Sequence, residues 1–141
     1  MTDVDSNCPV DKLTLLPLFL KYKKMITYWL ENPEEHDFPA AQDYLELIYA
    51  SDIAKQKVDL LRKAPTVQKK AKDILRASML SMLPESNIHV KANIKKVKKG
   101  GKLSPILLVR GSDKLIIADG YHRVCAIYFL SEDLVVPCRL V

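Results

Sequence analysis

The periodicity of this chain changes at Pro84. Before it, apolar residues recur at steps of three and four; after it, short β-branched runs alternate with glycine and proline. Such a chain can pack helices against one another first and must then build a sheet, which predicts an α+β class. The expected organisation is an N-terminal helical region over residues 1–83 followed by a small mixed-sheet domain over residues 84–141.

Within the first region, Leu15, Leu18, Phe19, Tyr22, Met25, Ile26, Trp29 and Leu30 trace one face of an amphipathic helix that Asn32 and Pro33 end. Residues 34–37 (Glu34, Glu35, His36, Asp37) read as a solvated acidic turn, since His36 has no second histidine or cysteine nearby to share a metal. A second helix is expected from near Pro39 to Arg62, with Ala41, Tyr44, Leu45, Ile48, Val58 and Leu61 inward. Thr66 is a candidate cap for a third, carrying Val67, Ala71, Ile74, Leu75, Met79 and Met82. Met79, Met82, Leu80 and Leu83 read as core filler.

Beyond Pro84 the expected order is a short strand at 87–90, a basic helix at 91–99 ended by Gly100 and Gly101, and a strand at 105–109. A turn at 111–113, a strand at 115–118, a second helix and a last strand at 135–141 follow.

The chain has 141 residues, 48% hydrophobic and 28% charged, enough for one core or one core with an appendage. Its first residues are acidic, which does not read as a secretory or transit signal. Lys21, Lys23 and Lys24 interrupt the best apolar stretch, so no membrane span is expected. Cys8, Cys125 and Cys138 lack metal-type spacing and fit reduced thiols; Cys125 and Cys138 read as small core residues. Together these features predict a cytoplasmic protein.

Residues 118–123 (Ala118, Asp119, Gly120, Tyr121, His122, Arg123) hold most of the chemistry, because they sit where an apolar strand hands over to an apolar helix. The first N–H groups of a helix have no intrahelical acceptor and carry the positive dipole end, so an anion there gains hydrogen bonds and about 0.3–1 kcal/mol of dipole energy. Gly120 permits close approach to the backbone. Arg123 offers a planar fork for two phosphate oxygens, and His122 a donor or a proton-transfer group. Asp119 fits equally a helix cap, a holder of Mg²⁺ or a base. The plain alternative is an ordinary helix start with an exposed arginine.

Net charge is +5, and the lysines concentrate at 91–102. On a helix, Lys91, Lys95, Lys98 and Lys102 would share a face opposite Ile94 and Val97, with Lys99 beside them. A solvated face is the first reading, because no aromatic residues interleave for base stacking; nucleic-acid binding is the alternative.

From about residue 87 to 141 these segments resemble the ParB/sulfiredoxin-like superfamily, in particular the N-terminal domain of ParB-type partition proteins. Gly101, four residues before Pro105, and the run Pro105 to Arg110 are similar to that family's glycine and its Pro-Ile-x-Val-Arg strand. Residues 115–126 resemble the strand and Gly-x-x-Arg helix start that bind nucleotide phosphates, and Pro137 matches the closing Ile-Pro strand. The resemblance implies a nucleotide such as CTP, ATP or ADP at Gly120, Tyr121, His122 and Arg123, with Mg²⁺ available to bridge phosphates.

Three departures narrow what it implies. Sulfiredoxins carry their nucleophilic cysteine where this chain has Tyr121, so sulfinic acid reduction is not expected. The Gln-Pro-Arg segment of partition proteins is absent, and no helix-turn-helix follows before Val141. The Asp-Gly-x-His-Arg form is similar to that of free-serine kinases, which implies catalytic roles for Asp119, His122 and Glu85 if phosphoryl transfer or hydrolysis occurs. The leading expectation is therefore binding of a nucleotide or phosphorylated small molecule, ahead of a nucleic-acid-binding protein and of a protein-interaction module.

Overall fold

A computed structural model describes residues 28–141. The first expected helix lies outside the described residues except for Tyr28, Trp29 and Leu30, which are not helical. Trp29 instead makes a parallel bridge with Leu103, through Leu30 N–H to Leu103 O at 2.7 Å and Leu103 N–H to Tyr28 O at 2.7 Å.

Among the described residues, helices α1 (Asp37–Leu45) and α2 (Ser51–Lys63) come first, then β1 (Val67–Lys70) and α3 (Ala71–Ser78). After them come α4 (Ile88–Lys98), β2 (Ile106–Arg110), β3 (Leu115–Asp119), α5 (Tyr121–Leu130) and β4 (Val135–Leu140). Among the described residues, five helices and a four-stranded sheet of order β1-β4-β2-β3 give an α+β architecture. The sheet is mixed: β4 runs antiparallel to β1 and parallel to β2, while β2 and β3 form an antiparallel hairpin.

Strand β2 explains the layering. Its run of Ile, Leu, Leu and Val is buried on both faces, as a central strand covered on each side must be. Ile106 and Leu108 join one core with Ile74, Val90, Ile94, Val124, Ile127 and Val136, which brings α3, α4 and α5 onto one face. Leu107 and Val109 join the other with Phe38, Leu45, Val58, Leu61 and Ile116, which brings α1 and α2 onto the opposite face. Cys125 and Cys138 are buried free thiols, as expected. No helix of the described residues is long and apolar enough to cross a membrane.

Several expected elements are corrected. The single helix expected from Pro39 to Arg62 is two, broken where Leu47, Ile48 and Tyr49 donate into a tight turn on Tyr44 and Leu45. Neither proline nor glycine marks that break. The expected start of the third helix is strand β1, whose Val67 to Lys70 pair with Cys138 to Val135. The strand expected at 87–90 is the first turn of α4, because the Asn87 side chain accepts from His89 N–H at 2.9 Å and Val90 N–H at 3.2 Å. Helix α3 stops at Ser78, where Met79 takes a left-handed conformation (φ 59°) and stays 75% exposed, so Met79 is not core filler; Leu80 and Met82 are exposed too.

Candidate functional site

The site forms where β3 ends and α5 begins. Between them Gly120 stands at φ 110°, a left-handed geometry that favours glycine. Space requires it as well: a Cβ at this position would lie 2.4 Å from Ile106 Cδ1 and 3.0 Å from Arg123 Nη2. The absence of a side chain therefore lets both the sheet and the arginine close onto the turn.

A bulge precedes the corner. Leu108 pairs with Ile117 and Leu107 with Asp119, leaving Ala118 without a partner. Such an extra residue re-aims the side chain beside it. Asp119 thus meets Arg123, whose Nη2 donates to Asp119 Oδ2 at 2.9 Å and reaches Pro105 O at 3.4 Å. Asp119 does not cap the helix, contrary to one of its sequence readings; the cap position is Gly120, with no side-chain bond to the first turn. The N–H groups of that turn carry no side-chain cap.

A second carboxylate stands behind the arginine. Asp37 Oδ1 lies 3.9 Å from Arg123 Nη1, and Asp37 is 2% exposed. Its Oδ2 accepts from Glu34 N–H at 3.0 Å and from the Ser104 hydroxyl. The turn at 34–37 is thus not solvated throughout: His36 and Glu34 face water, while Asp37 enters the core from the first turn of α1. Glu34, His36 and Asp37 lie close enough to share a cation, and Asp37 is already engaged by its hydrogen bonds. Arg123 Nε is buried with no protein partner.

The corner opens onto a cavity of about 260 Å³. Asp119, Gly120, His122 and Arg123 form one side, and His89, Ala92 and Asn93 of α4 form the other. The imidazoles of His89 and His122 meet edge to face, with centroids 4.8 Å apart. Burial lowers the pKa of His122 below the ordinary histidine value, and His89 and Arg123 add to that lowering. Burial raises the Asp119 carboxyl above the usual range; Arg123 pulls it down and Asp37 adds to the rise.

Tyr121 turns away from this cavity and donates its hydroxyl to Ser81 O, tying the corner to the segment after α3. Glu85 is exposed in the turn before α4 and is not among the residues that line the cavity. Lys91, Lys95, Lys98 and Lys99 are exposed, opposite the buried Val90, Ile94 and Val97. Lys102 departs from the expected face, because α4 ends at Lys98 and Gly100 turns the chain at φ 85°.

Sequence reasoning missed His89 because residues 87–90 read as a strand, and the Asn87 cap was the signal that could have found it; Asn93 lay within the expected basic helix, where only the lysine face was weighed. It missed Asp37 because nothing local distinguishes a buried aspartate within an acidic turn. No family model, no curated protein and no solved structure matches this chain. The chemistry of the site therefore rests on its own geometry.

Proposed function

We propose that the cavity between α4 and the β3–α5 corner binds the phosphoryl group of a nucleotide or another phosphorylated small molecule. The observation that carries this reading is that Asp119, Gly120, His122 and Arg123, four of the five polar or glycine motif residues, border one cavity at an uncapped helix start. An anion there accepts from the free N–H groups of α5 and gains the dipole and the Arg123 fork. The resemblance of residues 115–126 to the phosphate loop of the ParB/sulfiredoxin-like superfamily supports the same assignment.

In the free protein Asp119 holds Arg123, so an entering phosphate competes with that carboxylate for the guanidinium. The volume suits a phosphoryl group with its neighbouring atoms, leaving the rest of a nucleotide over the exposed rim. Asp119 is the carboxylate that borders the cavity, and it would be the protein ligand for a Mg²⁺ carried in on phosphate oxygens. Should phosphoryl transfer or hydrolysis follow, Arg123 and the helix start would stabilise the transferring group and Asp119 would accept the proton. Glu85 would need to move towards the cavity to share that role.

Thermal shifts with CTP, ATP, GTP and ADP in Mg²⁺ test the assignment. A ligand at a hundred times its dissociation constant adds about 2.7 kcal/mol, and Arg123→Ala should abolish the increment. No stabilisation by any nucleotide, or an equal increment in the variant, sinks it.

A second reading has one observation in its favour. Among the described residues, no carboxylate lies within ion-pair distance of Lys91, Lys95, Lys98, Lys99 or Lys102, which leaves an uncompensated basic surface for DNA or RNA. Affinity for a nucleic acid should then fall steeply with salt, and a flat salt response counts against it.

A further inference from the structure

Two histidines that sequence spacing does not connect meet across the cavity. His89 comes from the first turn of α4 and His122 from the first turn of α5, and their rings touch edge to face at 4.8 Å. Arg123 stands beside them, already neutralised by Asp119, with Asp37 behind it. Asn93 adds a neutral polar side chain on the α4 side, and Tyr121 directs its hydroxyl away to Ser81.

We propose that His89 and His122 form a proton-coupled anion clamp: a dianionic phosphoryl group binds between the two rings and Arg123 as His122 takes up one proton from solvent. This deepens the reading of the cavity as a phosphoryl site and rests on it. The argument is electrostatic. Without an anion, a proton on His122 is opposed by burial and by His89 and Arg123 beside it, so the free ring is harder to protonate than an ordinary histidine. A dianion in the cavity reverses the local field, making both imidazoles useful as N–H donors. The ligand class that gains most is therefore a group with two negative charges, a terminal phosphate monoester rather than a singly charged phosphodiester.

Sulfate is the probe of choice, because it stays a dianion throughout the range in which histidine titrates, so any pH dependence belongs to the protein. Isothermal titration at constant ionic strength from about pH 6 to 8 should show sulfate affinity rising as pH falls, by about tenfold per pH unit where one proton is taken up. Repeating the titration in two buffers of different ionisation enthalpy should return close to one proton bound per sulfate. His122→Gln should flatten the slope while leaving weaker binding. His89→Gln, at an exposed position that spares the fold, should weaken binding and move the pH midpoint upward by removing repulsion.

Asp119 could produce a similar slope, since its protonation would release Arg123. Asp119→Asn separates the two: a slope that survives His122→Gln and disappears in Asp119→Asn overturns the clamp. Sulfate binding with no proton uptake overturns it as well and leaves the phosphoryl site standing. No binding of sulfate or inorganic phosphate at any pH, by the wild type, removes both.

Discussion

Gly120 and Asp37 are the two residues whose replacement most directly tests how the corner is held. For Gly120→Ala, the new methyl meets Ile106 Cδ1 at 2.4 Å, and the backbone stays at φ 110°. Strain and overpacking each cost of the order of 1–3 kcal/mol, so the variant should unfold at clearly lower urea while keeping the wild-type m-value. An unchanged midpoint would show that the corner relaxes freely. Asp37→Ala removes the acceptor of the Ser104 hydroxyl and one of the two acceptors of Glu34 N–H, which also donates to Ser104 Oγ at 3.1 Å, and it leaves Arg123 with Asp119 and the Pro105 carbonyl. Unmade buried hydrogen bonds cost about 1–3 kcal/mol. Asp37→Asn keeps an acceptor oxygen and should lose less, and equal losses in the two variants would show that charge, not hydrogen bonding, is what Asp37 supplies. The contrast between Asp119 and Asp37 also marks what a sequence can reveal at this scale. Asp119 and Arg123 are four positions apart on a corner that a glycine announces. Asp37 and Ser104 are separated by 67 positions, and only the folded chain brings them together.

Among the elements, α4 supplies one whole side of the cavity, and the Asn87 side chain caps its first turn. Asn87→Ala removes the acceptor for two N–H groups and should cost about 0.5–2 kcal/mol. Since His89 lies in that turn, the same variant should weaken sulfate binding by more than Lys95→Ala does, as measured by titration at one pH. Equal affinities would mean that the turn holds without its cap. Which elements were legible follows from what stabilises each. Strands β2 and β3 and helix α5 bury apolar runs, so their hydrophobic pattern announces them. Strand β1 is four residues long, with only Val67 partly buried, and it exists because its backbone pairs with β4. No side-chain period records such a strand. The break between α1 and α2 is equally silent, because it is made by backbone turns and a Ser51–Glu46 hydrogen bond at 2.9 Å rather than by proline or glycine.

At the level of the whole molecule, the sheet ties together the segments on either side of Pro84. Strand β1 comes before Pro84 and pairs with β4 after it. Helices α1 and α2 cover the face formed by Leu107, Val109, Ile116 and Ala118. Asp37 of α1 lies 3.9 Å from Arg123 of α5, so the helical layer on one face is in contact with the β3–α5 corner. Residues 84–141 alone would retain β2, β3, β4 and the helices α4 and α5, but would leave those four apolar side chains facing water. Exposing a buried aliphatic side chain costs about 1.5–3 kcal/mol, and three such losses approach the whole stability of a small domain. A fragment of residues 84–141 should therefore give no cooperative urea transition and poorly dispersed amide resonances, and Arg123 in it should not hold a nucleotide. A sharp transition with wild-type-like sulfate affinity would instead make the corner self-sufficient, with α1 and α2 as a covering layer that Asp37 merely fastens.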